Sequence, residues 1–393
     1  MTQAFKFHPA LGPVPAACAL ALSMFLGGLQ PALAAPPGPN AALGIADAGY
    51  SLDALIAAAK KEQPITVVDA TGKILEMAKK FTEKYGVKAT GVKLSASNQE
   101  EVLAREAAAH NVRNDVFNMS NLPDVTAQFI PQGVATSWMP PDLKNQTPER
   151  YQSPAITSLN PWLWVYNPKV YGDKCPIDNM WALTDPQWKG KVNIPDPLLR
   201  NETMFWVNQI AQNADDQMKQ AYQAHYGKPL KTDQPSATAE WFKRFAANNV
   251  KVSKSDSDVG PVVGASTQKD PVIGFVSTAI FAHARDKKFP LAACSGLKPW
   301  LGQLTPRVAV IATETKSPNA AKLFVHYMMS AEGMAPQLED GKLSTNPQAK
   351  MPADEPSGIE KLKDQLYVNN SKTTPDDFKK LQYWRDLWTT SGR

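Results

Sequence analysis

Residues Ile65-Thr66-Val67-Val68 form an unbroken β-rich run between polar segments, the pattern of a strand buried on both faces. Before it, Ser51 precedes Leu52, Leu55, Ile56 and Ala59, which predicts a short amphipathic helix with Ser51 as its N-cap. After the turn Asp69-Ala70-Thr71-Gly72, the positions Ile74, Leu75, Ala78 and Phe81 recur at helical spacing until Tyr85-Gly86. A second strand is predicted over Val87 to Leu94, then the polar stretch Ser95-Ala96-Ser97-Asn98 and a helix over roughly Gln99 to Ala109. A third strand over Asp115 to Met119 ends at Ser120-Asn121. Strand, helix and strand in alternation predict an α/β fold with a parallel sheet flanked by helices. Ligands of such sheets collect beyond the carboxyl ends of the strands, here the loops 69–72, 95–98 and 120–121.

The texture changes after Pro140-Pro141. An aromatic strand, Trp162 to Tyr166, stops at Asn167-Pro168. Asp-Pro turns flank a short strand at 191–194, and a helix is predicted from near Asn201. Further helices are expected at 205–224 and 236–248, strands at Val272 to Val276 and Arg307 to Ala312, and a helix through Met329 capped by Ser317-Pro318-Asn319. The tail, 356–388, reads as helix packed through Tyr383, Trp384 and Trp388. Residues 253–258 read as a solvated loop. There is no internal repeat at solenoid periods.

At the beginning of the chain, Lys6 and His8 precede an apolar stretch from Val14 to Leu29 and the run Ala32-Leu33-Ala34-Ala35. These are the parts of a cleavable secretory signal over residues 1–34. A membrane anchor is the competing reading, but Pro13, Pro15 and Pro31 leave less than the ~20 apolar residues a spanning helix needs. Cys18 lacks a large aliphatic residue before it, as a lipoprotein site would carry. Residues 35–49, rich in Pro and Gly at their start, are expected to be a flexible leader. Of 393 residues, 359 then remain, enough for two lobes of ordinary domain size.

Only Lys6 is lost from the 42 basic residues, so the remaining excess over 37 acidic ones is small and scattered. Nucleic acid is not an expected partner. Cys175 and Cys294 remain in an oxidising compartment, either as one disulfide or as two separate thiols, with no metal-ligand spacing. The histidines at 110, 225, 283 and 326 are not paired at ligand spacing, and HExxH, GxSxG and P-loop motifs are absent. Ser266-Thr267-Gln268-Lys269 matches the SxxK of penicillin-binding acyltransferases and hydrolases, without its SDN and KTG companions.

Two segments carry a resemblance. LTDPQWKGKVNIPDP (183–197) and SPNAAKLFVHYMMSAEG (317–333) resemble type 2 periplasmic binding proteins, in the branch of ferric-iron, hexose-phosphate, phosphonate, thiamine and polyamine binders. LDALIAAAKKE (52–62) and DVF (115–117) fall where that family has similar segments, and the order is kept over about 50–350. The resemblance implies the solute-binding component of an ABC transporter: a periplasmic monomer, without cofactor or enzymatic activity, that hands a small molecule to an inner-membrane permease. It implies two α/β lobes joined by two crossover strands, with the ligand between them. The first lobe would hold 50–157 and 298–342, the second 158–297 and 343–393, with Tyr166 and Phe275 near the crossings.

Ferric-iron members hold their cargo with a His in the first loop, a Glu after the third strand and a Tyr pair after the strand closing the second lobe. Those positions are Gly72, Ser120 and Ala279-Ile280 here. Hard Fe(III) needs anionic oxygen ligands, so the expectation moves from free iron to, at most, chelated iron, and no metal-ligating residue is assigned. The candidate ligand-binding residues are instead Asp69, Thr71, Gly72, Ser95, Ser97, Ser120, Asn121, Tyr166, Arg200, Asn201, Thr203, Ser277 and Thr278. Hydroxyls and amides beside helix N-termini, with Arg200 and Lys73, suit an oxyanion such as a phosphate ester, phosphonate or carboxylate. Ser, Thr and Asn before helices also serve simply as caps. Trp162, Trp164 and Tyr166 either stack on a ligand or pack the interlobe region. A polyamine would instead use Asp69, Glu202, Asp256 or Asp258 with aromatic walls.

Overall fold

The computed structural model describes residues 43–392. The expected signal sequence and the first part of the leader lie outside the described residues. The leader's last residues are held rather than loose: Asn319 accepts from the Ile45 amide at 2.8 Å, and Lys322 donates to the Ile45 carbonyl at 2.7 Å. Among the described residues no helix is long and apolar enough to cross a membrane.

The first βαβ units form where the apolar periodicity puts them. Helix α1 (Leu52–Ala59) is capped by the Ser51 hydroxyl, which accepts from the Ala54 amide. Strand β1 (Ile65–Asp69) is buried almost throughout, as its unbroken apolar run requires. Helix α2 (Lys73–Tyr85) buries Ile74, Met77, Ala78 and Phe81 and ends at left-handed Gly86. Strand β2 (Ala89–Lys93), helix α3 (Ala96–Ala108) and strand β3 (Val116–Met119) follow.

The rest of the sheet is β4 (Ile156–Tyr166), β5 (Val192–Pro195), β6 (Lys251–Ser253), β7 (Ile273–Ser277) and β8 (Gly302–Ala312). The order is β2-β1-β3-β8-β4-β7-β5-β6, with four short strands paired beside it. Pairing is parallel at both ends, β1 with β2 and β3, and β5 with β6 and β7. In the middle the two long strands run antiparallel, with Arg307 opposite Ser158 and Thr305 opposite Asn160. One lobe is built on β1–β3 and the other on β5–β7, and β4 and β8 join them.

Helices α4 (Asn201–Asn213), α5 (Asp215–Tyr226), α6 (Ala237–Ala247), α7 (Asp256–Gly264) and α8 (Ala279–Lys287) surround the second arm. Helices α9 (Pro318–Met329) and α10 (Ala331–Leu338) pack on the first, and α11 (Thr374–Ser391) lies against α4 and α6. The first arm centres on Phe81, Phe324 and Tyr327, the second on Trp164, Trp206 and Phe275, whose last two rings stack at 5.2 Å.

Four sequence expectations are corrected. The helix predicted at 205–224 breaks at Ala214, whose extended φ of −149° starts α5 in a new direction. Residues 256–258 are not loop but the first turn of α7, closed by a Ser255–Asp258 capping box. The tail is not helical from 356: Leu366–Val368 pairs in parallel with Gly302–Leu304 of β8, and the long helix begins only at Thr374. Ser317 does not cap α9. Its hydroxyl donates to the Gln63 carbonyl, and the Glu62 carboxylate receives the Asn319 and Ala320 amides instead. Cys175 and Cys294 are bonded to one another.

Candidate ligand cleft

The carboxyl ends of the parallel strands in both lobes face one cavity of about 830 Å³, within the range of small-molecule sites. From the first lobe come Thr71 and Gly72, between β1 and α2, Ser95, between β2 and α3, and Ser97, in the first turn of α3. The second contributes Arg200, which precedes α4, and Ser277, which ends β7. The long strands form the floor with Asn160, Trp162 and Arg307. Asn160 and Trp162 share a face because side chains alternate along a strand.

The cleft is cationic. Lys73, Lys93, Arg200, Lys254, Arg307 and Lys342 line it, against Asp256, Asp286 and Asp340. Asp256 is taken up by the amide and hydroxyl of Ser277. Lys73 pairs with Glu339 at 2.7 Å and lies 4.0 Å from Asp340, whose own carboxyl burial pushes up. Arg200 stacks its guanidinium 4.8 Å over the Trp162 ring and reaches Glu202 at 3.3 Å. Burial opposes charge on Glu202, but Arg200 and the bond from Ser120 hold its carboxyl below the usual range.

At the floor, Arg307 Nη2 lies 3.5 Å from Asp69 Oδ1, while its Nε and Nη1 are buried without a partner. Lys342 Nζ is likewise buried and unpartnered, and burial pushes its ammonium down to about 8. The first amides of α2 are taken up locally, Lys73 N by the Thr71 hydroxyl and Ile74 N by the Thr71 carbonyl, whereas the N-terminus of α8 carries no side-chain cap, so its first N–H groups are available to an acceptor.

Of the residues proposed from sequence, Thr71, Gly72, Ser95, Ser97, Arg200 and Ser277 line the cavity. The others are placed elsewhere, and local geometry accounts for each. Asp69 is fully buried beneath the wall, where it accepts from the Thr71 amide and Asn118. Ser120 donates to Glu202, and Asn121 to Glu100. Tyr166, at the far end of β4, donates to the Gly172 carbonyl. Asn201 accepts from Arg385, and the Thr203 amide donates to the Arg200 carbonyl within the first turn of α4. Thr278 is fully buried, its amide bound to the Pro161 carbonyl. Trp164 is core, whereas Trp162 reaches the cleft. Ser266 and Lys269 sit in the loop after α7, and neither lines the cavity.

Arg307, Lys342 and Lys93 escape the sequence reading, and Asp256, read there only as a polyamine carboxylate, lines the cavity as well. Arg307 left a faint signal, a charge opening the apolar strand Val308 to Ala312. Lys342 left none, because a lysine after Glu339-Asp340-Gly341 reads as a solvated turn.

Comparison with known proteins agrees with this geometry. The family described as bacterial extracellular solute-binding proteins matches residues 65–341. The fold is shared with iron-bound HitA from Pseudomonas aeruginosa, at 15% identity and a TM-score of 0.62, over 84% of this chain and 99% of that one. The periplasmic binding protein AfuA from Actinobacillus pleuropneumoniae, with fructose-6-phosphate bound, is 20% identical with a TM-score of 0.62, over 83% of this chain and 98% of that one. The substrate-binding protein of an ABC transporter from Agrobacterium tumefaciens is 14% identical with a TM-score of 0.64, over 84% and 95% respectively. No curated protein matches the sequence.

Proposed function

The chain belongs to the bacterial extracellular solute-binding proteins, and from that premise we propose that it captures a small oxyanion in the periplasm and presents it to an inner-membrane permease. The oxyanion is a phosphate ester, a phosphonate or a carboxylate. The protein is a solute-binding component of an ABC transporter, not an enzyme, with the two-lobed type 2 fold.

The excess of cations on the cleft wall carries the reading, above all the unpartnered buried donors of Arg307 and Lys342. Thr71, Ser95 and Ser97 add neutral hydroxyls, and the open end of α8 adds backbone donors. Direct ferric binding is not proposed: Gly72, Ala279 and Ile280 offer no side-chain donor, and Ser120 is committed to Glu202. Polyamine binding is disfavoured because Asp256 is occupied by Ser277.

The lobes, 50–157 with 298–342 and 158–297 with 343–393, close about β4 and β8 on a monomer. Calorimetry of residues 35–393 against fructose 6-phosphate, methylphosphonate and citrate, with putrescine and ferric citrate alongside, tests the reading. At least one anion is expected to bind and to compact the protein in small-angle scattering. Binding of putrescine with none of the anions would overturn it.

A further inference from the structure

Two cations at the cleft floor keep buried donors that their surroundings leave unsatisfied. Lys342 and Arg307 are only 3% and 5% exposed. Arg307 comes from the middle of β8, and Lys342 from the turn that follows α10. Of the buried carboxylates around them, Asp69 approaches Arg307 through one oxygen. Asp340, the other acid beside Lys342, is also within reach of Lys73. This leaves Lys342 Nζ, Arg307 Nε and Arg307 Nη1 buried without acceptors. A buried charge in that condition is costly unless something pairs with it. Both residues line the ligand cavity, together with Thr71 and Lys73.

A single negative charge can satisfy one of these cations, and a doubly charged group both. We infer that Arg307 and Lys342 are the specificity pair for a dianionic phosphoryl group, so that the solute is a phosphate monoester or phosphonate and not a monocarboxylate. The guanidinium meets the phosphoryl group through Nε or Nη1, which open on different edges of its plane, and the ammonium supplies a point charge to another oxygen. This rests on the oxyanion reading and narrows it.

The pair also makes binding proton-linked. Around Lys342 the charged groups are Asp69 on β1, Arg307 on β8, Lys73 on α2 and Asp340 in its own turn. With its ammonium pushed down to about 8 by burial, Lys342 is partly neutral in mildly alkaline solution. A dianion raises its affinity for the proton, so binding there takes a proton up.

The experiment is calorimetry on the mature chain with fructose 6-phosphate and methylphosphonate against gluconate and acetate, in wild type, Lys342→Met and Arg307→Lys. In wild type a phosphoryl probe is expected to bind at least about 100-fold more tightly than either monocarboxylate. Lys342→Met removes most of that preference, and its ligand-free form melts at or above the wild-type temperature because an unpaired buried charge is gone. A purely structural lysine would do the reverse, lowering the melting temperature and sparing the preference. Wild-type titrations at pH 8 in buffers of different ionisation heat are expected to show proton uptake, which keeps the test independent of the variants' folding. Equal affinity for monocarboxylates, or no binding of either phosphoryl probe, would overturn the inference. In the first case the oxyanion reading stands. Putrescine binding alone removes both.

Discussion

Ser120 Oγ donates to Glu202 Oε1 at 2.8 Å, and the bond joins the carboxyl end of β3 in one lobe to the first turn of α4 in the other. The same carboxylate oxygen receives Arg200 Nη2 at 3.3 Å. One buried carboxylate therefore ties a strand end of the first lobe to an arginine on the cleft wall of the second. Ser120→Ala deletes a hydrogen bond to a charged group, and the expected loss is about 1.5–3 kcal/mol, read as a lower urea midpoint. Because the bond spans the lobes, the ligand-free variant should also be more extended in small-angle scattering. An unchanged midpoint and an unchanged radius would mean the contact does not latch the lobes.

Arg200 has two tasks, and a mutant cycle separates them. Arg200→Gln leaves the Glu202 carboxylate buried without its cation, expected to cost about 3 kcal/mol of stability, the low end for a broken buried pair because Arg200 is a quarter exposed. Adding Glu202→Gln should restore most of that stability, since no charge is then stranded. Anion affinity should not return with it. A double variant that binds like wild type would assign Arg200 to the fold alone.

Stability should fall as pH rises from about 5 to 7. Burial raises the carboxyls of Glu100 and Asp124, which lie close to one another, and pushes Asp377 up to about 7. In the unfolded chain the same groups lose their protons near pH 4. Between those limits the native state holds more protons than the unfolded state, so each group lowers stability by up to about 1.4 kcal/mol per pH unit as pH increases. Glu202 acts oppositely: its carboxyl is held low, and its contribution is lost only as pH falls through that low value. Melting temperatures across pH 4.5–7.5 check the slope. Asp124→Asn should flatten it, because Asp124 Oδ2 has no partner and an amide there displaces no donor. A melting temperature that rises over this interval would contradict the assignment.

The first lobe was legible because its signals are local. Ser51 caps α1, Ile65 to Val68 are strand by composition, and Gly86 ends α2. The cleft hydroxyls Thr71, Ser95, Ser97 and Ser277 were reachable for the same reason, since each marks the end of a strand. Side-chain commitment was not legible. Ser120 looks like Ser97 in sequence, yet a glutamate 82 positions away claims it. The strand at Leu366–Val368 was invisible as well, because only the free edge of β8 makes it a strand. Arg307 and Lys342 meet through the crossing of β8 over the first lobe, which no periodicity in either segment records.

Gly341 tests how the turn beside it sets Lys342. Its φ is +73°, and a Cβ there would stand 2.7 Å from Thr278 Cβ and 2.8 Å from Glu355 Oε1. Gly341→Ala therefore brings both left-handed strain, about 1–2 kcal/mol, and a collision with Thr278, the residue before α8 in the opposite lobe. The turn must shift to relieve it, and Lys342 shifts with it. Gly358 separates the two effects: its φ is +64°, but a Cβ there meets nothing within 4 Å. Gly358→Ala should lose stability comparably and leave fructose 6-phosphate affinity alone. Gly341→Ala should lose both, with affinity reduced by roughly tenfold or more, since a misplaced charge contact is worth at least about 1.4 kcal/mol. Equal affinities in the two variants would mean that Lys342 is not held by the approach of Gly341 to Thr278.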